Sequence, residues 1–314
     1  MTTNINLTDE IKKSYESNKQ IGSFLGVNAF VKNDVYKNQQ VVERALRSLD
    51  SYTKFKPARK NFKRQRVIVR YAYELFAADL LDYQKYKHSN RGYAWIAVFY
   101  DAFTKMIYCR PLKTKSAIHV SEALEDVFRD KSPDLLLVDM GKEWFNGKCQ
   151  SIMKEKGIKM FATKSPTKSF YAENCIRRLK RIFERIFYIT KRKTWLFYLD
   201  DVVFNLNRTY SQPIKMTPVE ASKPENQAQV FYNLYKNLKR DNNVQFKVFD
   251  KVRLSNSRFH NIFSKKYKQS FSDEIYTIIK VNVTPSVPTF LIQDQSGVDI
   301  DGQFYQEELQ KVFV

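Results

Sequence analysis

Apolar positions along this chain follow different rhythms in different stretches. Near the start the spacing is helical. Val42, Ala45, Leu46 and Leu49 fall on one face, and Asn38 stands before them as a helix cap. Upstream, Ile11 and Tyr15 lie one turn apart, Thr8 reads as a cap, and Asp9 and Glu10 suit the positive end of a helix dipole. IGSFLGVNAF supplies a short apolar segment between the two. Residues 1–53 therefore predict a small bundle of short helices, helix-turn-helix-like, with the last helix able to enter a major groove. The plain alternative is a helical bundle that only mediates oligomer contacts.

From residue 71 the apolar runs shorten. ELFAADLL, YAWIAVFYD and MIYCRPL read as strands, the last two joined by a tight turn at 102–105. SAIHVSEALEDVF predicts a helix with Ser116 as its cap. LLLVD predicts a fourth strand, Gly147 to Glu155 a helix closed by Gly157, and IKMFA a fifth strand. A long basic helix follows in KSFYAENCIRRLKRIF. TWLFYLDDVVFNLNRTY is a second, amphipathic one, with Leu196, Leu199, Val203 and Leu206 on its apolar side as core or subunit interface. Residues 71–222 thus predict an α/β domain, a mixed sheet with helices on its faces. Residues 223–243 are polar and read as a linker with some helical character. Over 244–314, short strands alternate with Pro285, Pro288, Ser296-Gly297 and Asp301-Gly302, which predicts a small all-β barrel of the SH3-like kind.

Charge changes the picture from a generic α/β protein to one with a polyanionic partner. The formal net charge is +21 on 314 residues, far beyond what solubility requires. Segment 54–70, KFKPARKNFKRQRVIVR, holds eight basic residues and no acid. Pro57 argues against a continuous helix there, so it reads as an extended basic linker along a phosphate backbone, with Phe55 and Phe62 as anchors. It also fits a nuclear import signal. The expected DNA contacts are Gln39, Gln40, Arg44 and Arg47 on the third helix and Arg59, Lys60, Lys63 and Arg64 in the linker. To these the basic loop NSRFHNIFSKKYKQ adds Arg258, Lys265, Lys266 and Lys268.

Hydrophobic residues make up 43% of the chain, enough to build proper cores. Cys109, Cys149 and Cys175 are isolated and form no disulfide framework, which predicts a reducing compartment. No apolar run is long enough to span a bilayer, so no membrane partner is expected, and the start lacks a signal-peptide core.

The candidate chemistry sits at strand ends. In LLLVDMGKEWF four apolar residues run into Asp139, and Gly141 lets the chain turn away. In ELFAADLL, Asp79 interrupts an otherwise apolar strand. Glu173 heads the long basic helix, 34 positions after Asp139. Two strand-borne aspartates and a helix-borne glutamate are hard oxygen donors of the type that holds a pair of Mg²⁺ ions for phosphoryl transfer. A lone acid in a strand is more often a satisfied structural carboxylate. Asp101, Asp82 and Glu143 are the rival acids. Strand alternation turns Asp82 to the side opposite Asp79. Glu143 reads as a loop-holding neighbour of Asp139.

AADLLDYQKY, IAVFYDAFTKMIYCRPLKTKS, LLLVDMGKEWFN, SPTKSFYAENCIRRLK and YSQPIKMTP occur in the order of the D,D,E integrases of retroviruses and transposons, and the chain resembles that family. LRSLDSYTKFKPARKNFKRQRVIV, FSDEIYTIIKV and DIDGQFYQEELQKV resemble the integrases of self-synthesising Maverick/Polinton transposons and related virophage elements. The resemblance implies a ribonuclease-H-like core, and Asp79, Asp139 and Glu173 as metal ligands and catalytic acids. Asp101 matches a non-ligand acid. It further implies two Mg²⁺ ions, with Mn²⁺ able to substitute, and double-stranded DNA, both element ends and target, as partner. A homo-oligomer, a tetramer, acting in the host nucleus or a viral factory follows from the same resemblance.

The loop SPTKSFYA would flank the active site, with Ser165, Thr167, Lys168 and Tyr171 touching a DNA end. Arg177, Lys180, Arg181 and Arg185 would continue that contact along the helix face of Glu173. Where the family often has Asn three positions after the glutamate, this chain has Ile176. The alternative reading is a domesticated or inactive copy acting as a DNA-binding protein.

The His-His-Cys-Cys zinc site of retroviral integrases has no counterpart among His88, His119, His260 and the three cysteines. Elemental analysis of the purified protein should therefore find no stoichiometric zinc.

Overall fold

Turn residues and cap residues cut the chain into short elements. Four helices open it, α1 (Thr2–Tyr15), α2 (Val27–Asn33), α3 (Gln39–Leu46) and α4 (Asp50–Thr53). Then come β1 (Leu75–Asp82), β2 (Trp95–Asp101), β3 (Ile107–Leu112), α5 (Ala117–Val127), β4 (Leu135–Val138), α6 (Gly147–Glu155) and β5 (Lys159–Ala162). Next are α7 (Phe170–Thr190), α8 (Leu199–Arg208), α9 (Pro218–Ala221) and α10 (Gln227–Tyr235). The last strands are β6 (Lys251–Leu254), β7 (Tyr276–Asn282), β8 (Thr289–Gln293), β9 (Phe304–Tyr305) and β10 (Leu309–Lys311). This computed structural model describes residues 2–33, 36–162, 170–238, 243–258, 269–283 and 287–313. The chain divides into two compact units, residues 67–237 and residues 1–66 with 238–314.

In the unit 67–237 the described strands form one mixed sheet of order β3-β2-β1-β4-β5. β1 runs antiparallel to β2 and parallel to β4, and β4 runs parallel to β5. This is the α/β, ribonuclease-H-like order expected for residues 71–222. Successive side chains alternate between faces. Phe76, Ala78, Leu136 and Val138 pack under α5 and α6. Leu81, Ile96 and Val98 pack under α7 and α8 through Leu179, Phe183, Val202 and Leu206. Leu75, Ala77 and Leu137 share a cluster with Ala172 of α7 and Val230 of α10. Each of the larger aliphatic and phenylalanine side chains contributes roughly 1.5–3 kcal/mol by leaving water. Asn207 fixes α8 to β3, its side chain bonding both backbone groups of Ile107 at 2.9 and 2.8 Å.

Some local expectations change. α1 begins before Thr8, so Thr8 lies inside the helix. Ser116 takes the cap position of α5, but its hydroxyl meets the His119 ring at 3.1 Å, not a backbone amide. Residues 223–243 do not form a free linker throughout. α10 buries Val230, and Tyr235 accepts a hydrogen bond from the Val69 amide at 2.7 Å.

The other unit joins the helices to the barrel. α1, α2 and α3 close over Ile11, Tyr15, Phe30, Val42 and Leu46, and Asn38 caps α3 as expected. The described strands form an antiparallel sheet of order β10-β6-β7-β8-β9 around Val252, Ile278, Phe290 and Ile292. Arg253 of β6, only 2% exposed, donates to Asp50 at 2.6 Å, Thr53 at 3.2 Å, and the carbonyls of Ser272 and Asp273. Lys54 adds ion pairs to Asp50 at 2.9 Å and Asp273 at 2.8 Å. The basic segment is docked over part of its length. Phe62 packs against Tyr305 with ring centroids 5.5 Å apart, and the Gln65 amide donates to the Tyr305 hydroxyl at 3.1 Å. Phe62 thus anchors protein to protein, while Phe55 stays exposed.

Leaving buried polar groups without their charged donor costs about 1–3 kcal/mol. Arg253→Met should lower the stability of the unit 1–66 with 238–314 by that amount. Trp95, Trp144 and Trp195 all lie in the other unit. Unfolding followed by circular dichroism should therefore gain an early phase that tryptophan fluorescence does not see. Lys54, and Arg253 beside it, hold the Asp50 carboxyl below its ordinary value of 3.8. That contribution is present above pH 3.8 and is lost as pH falls further.

Candidate active site

The pairing of β1 with β4 decides the site. Leu75 pairs with Leu135, Phe76 with Leu136 and Ala77 with Leu137. The pairing ends there: Asp79 lies two residues further along β1, and Asp139 immediately follows β4, so the register directs the two acids toward one another beyond the last paired residues. Pleat parity gives both the same face. Asp79 alternates with Ala77 and Leu81, and Asp139 follows Leu137, all on the side covered by α7 and its neighbours. Glu173 lies in the first turn of α7, between Ala172, which packs with Ala77, and Cys175 and Ile176, which pack with Leu81. Pleat parity and the packing of α7 thus put the three acids on one side of the sheet, Asp79 within β1 and Asp139 just past β4. Among the described residues, no three His, Cys, Asp or Glu side chains are gathered closely enough to hold a metal ion.

Backbone amides orient both aspartates. The Leu80 amide donates to Asp79 Oδ1 at 2.7 Å, and the Gly141 amide to Asp139 Oδ1 at 3.1 Å. Gly141 is required by close approach. A Cβ there would stand 2.5 Å from the Glu143 carboxylate and 2.9 Å from Asp139 Oδ1. Glu143 therefore brings a second carboxylate over the turn beside Asp139, as its position in the sequence suggests. Among the described residues neither Asp139 nor Glu143 forms an ion pair. A pair of uncompensated carboxylates at a strand end suits a hard divalent cation.

The rival acids are satisfied elsewhere. Asp101 is buried at the β2–β3 turn and accepts from the Phe103 amide at 2.9 Å and the Thr104 hydroxyl at 2.7 Å. Asp82 is exposed and accepts from the Gln84 amide at 2.8 Å.

At the start of α7, Tyr171, expected to touch a DNA end, packs against Tyr100 and Lys105, two residues the sequence did not single out. The rings of Tyr100 and Tyr171 stack with centroids 6.2 Å apart and planes at 21°. Lys105 Nζ lies 5.9 and 5.7 Å from their centroids and donates to the Ala102 carbonyl at 2.6 Å. Burial pushes the Lys105 ammonium down to about 8. The only local signal was a lysine in a tight turn, where its φ is +67°.

The expected cation row on α7 divides. Helical spacing keeps Arg177 and Lys180 near the face of Glu173. Arg181 and Arg185 turn with Arg178 into a cleft against α8. Ile176 is buried under the helix, so the family's Asn position faces the core here. Elsewhere, Arg44 is exposed beside the Phe313 ring, Arg47 is paired to Glu43, and Gln39 bonds Asn28. Arg59, Lys60, Lys63 and Arg64 are exposed. Arg258 is engaged by the Gln303 carbonyl and Glu308. Ser165, Thr167, Lys168, Lys265, Lys266 and Lys268 lie outside the described residues.

The chain superimposes on a chain of the simian T-cell lymphotropic virus intasome, solved by cryo-electron microscopy with PP2A regulatory subunit B56 gamma. The TM-score is 0.67 and identity 12%, over 92% of this chain and 95% of that one. The fold is retroviral-integrase-like. In sequence the chain is 26% identical over 196 residues to a transposon-derived protein of Caenorhabditis elegans, covering 61% of this chain and 65% of that protein. It is 27% identical over 144 residues to the Pol polyprotein of radiation murine leukemia virus, covering 45% of this chain and 25% of the polyprotein. It thus spans just under two thirds of the first relative and a quarter of the second. No protein-family model matches it.

Gly141→Ala must push the Glu143 carboxylate or Asp139 aside. Because a flexible side-chain end yields cheaply, thermal stability should fall by less than about 1 kcal/mol. Mg²⁺ affinity, measured by titration calorimetry, should fall about 10–100-fold, as for other losses of ligand support.

Proposed function

We propose that this chain is a DNA integrase of a mobile element, which trims the 3′ ends of element DNA and joins them to target DNA. The observation that supports the reading is the β1–β4 register, which ends at Ala77 and Leu137, two residues before Asp79 and Asp139, on the face of the sheet that α7, bearing Glu173, covers. The transposon-derived and retroviral Pol relatives and the intasome-like fold support it. The reaction is two phosphoryl transfers. Hydrolysis near each element end frees a 3′-hydroxyl, which then attacks a target phosphate and displaces its 3′-oxygen in line. No covalent protein intermediate is needed, and the three cysteines are buried.

Asp79, Asp139 and Glu173 are the residues that would hold two Mg²⁺ ions. When bound, such ions supply Lewis acidity to the attacking and leaving oxygens. The chain's own part is orientation and binding. The Leu80 and Gly141 amides orient the aspartates. Tyr100, Lys105 and Tyr171 steady the first turn of α7. Arg177 and Lys180, exposed beside Glu173, contact DNA phosphates. Lys60 and Arg64, exposed on the same segment, provide further duplex backbone contacts, and each neutralised phosphate makes binding salt-dependent. Joining two element ends to one target calls for a homo-oligomer, a tetramer. The resemblance of the terminal segments to Maverick/Polinton integrases supports placing the element in that class, which would act in the host nucleus or a viral factory.

Asp139→Asn keeps the size and hydrogen bonding of the side chain but removes the charge. Strand transfer of element-end oligonucleotides should be abolished, with duplex affinity unchanged within about twofold. Joining at the normal rate by this variant would overturn the assignment.

A further inference from the structure

The basic segment lies against the barrel with open space beneath it. A cavity of about 440 Å³ is lined by Arg47, Lys56, Arg59, Lys311, Gln245 and Glu307, among others. A second, of about 470 Å³, lies next to it, lined by Phe62, Lys63 and Val287 and sharing Arg59 and Glu307 with the first. Each falls within the range of about 300–1,000 Å³ that holds a small ligand. Arg47 is paired with Glu43 and Lys311 with Asp250. Among the described residues, neither Lys56 nor Arg59 has an acidic partner. The Lys56 ammonium is destabilised by burial and then by Arg47 beside it, and the Glu43 carboxylate offsets this only in part.

We propose that these two cavities form a track for single-stranded nucleic acid, with Lys56, Arg59 and Lys63 taking consecutive phosphates. The amide and carboxylate side chains of Gln245, Gln310 and Glu307 add groups that pair with base edges. Cations interleaved with aromatic and amide side chains along a groove are what a flexible strand requires. Two concave pockets roofed by a peptide segment admit nucleotides one at a time. The convex backbone of a duplex meets only the exposed outer cations. The assignment rests on nucleic acid as partner, as in the integrase reading, but not on the acidic site.

The test is fluorescence anisotropy on the full chain, with a labelled oligothymidine of about 12 nucleotides and a duplex of equal length. Lys56→Ala with Arg59→Ala should weaken the single strand at least 10-fold and the duplex less than threefold. The salt dependence of single-strand binding should fall by about 1.4 in log–log slope, about 0.7 for each lost phosphate contact. The charge-conserving pair Lys56→Arg with Arg59→Lys should restore affinity, which separates loss of charge from misfolding. Asp139→Asn should leave both affinities unchanged, so failure of the catalytic reading and failure of the track give different results. Equal loss for single strand and duplex, or no loss for either, overturns the proposal. So does inorganic tripolyphosphate binding as tightly as the oligonucleotide.

Discussion

The parallel ladder between β1 and β4 is the constraint on which the rest depends. Asp79 and Asp139 are 60 positions apart, and this register pairs the residues two positions before each of them, Ala77 and Leu137. Strands so paired stand about 4.8 Å apart, and carboxylates at that spacing repel. The arrangement persists because the ladder and the apolar faces hold it. Ala77 and Leu137, just inside the acids, are buried on the same face, and Ala78 and Val138 anchor the opposite one. A one-residue slip would send one aspartate to the wrong side of the sheet and its apolar neighbours with it.

The same logic governs α7. Its apolar stripe, Cys175, Ile176, Leu179, Phe183 and Phe187, fixes its rotation on the sheet. Rotation then decides which polar residues share a face with Glu173. Arg177 and Lys180 do, while Arg178, Arg181 and Arg185 are carried to the α8 side. The stack of Tyr171 on Tyr100, with Lys105 against both rings, sets where the helix begins.

The unit built from both ends of the chain is held differently. Its helices and its barrel each have a small apolar core, and a buried arginine joins them. That charge is tolerable only because Asp50, Thr53 and two carbonyls together satisfy the guanidinium. Fastening the helices and the basic segment to the barrel turns what reads as a loose linker into a fixed cationic surface. It also commits Arg47 and Arg258, two expected DNA contacts, to protein partners.

Sequence alone determined the local rules. Apolar rhythm placed the strands, the caps at Asn38 and Gly157, Asp79 inside one strand and Asp139 at the end of another, because these depend on near neighbours. It also marked Asp101 as a turn acid and Glu143 as a companion of Asp139, for the same reason. Tertiary structure decided what depends on distant partners. It chose the β1–β4 register, the rotation of α7, the inclusion of α10 in the core unit, and the lysine between two tyrosines. It also showed that Arg253, in a strand that reads like any other, holds one unit together. Such choices follow from packing between segments far apart in the chain, and no window of neighbouring residues contains them.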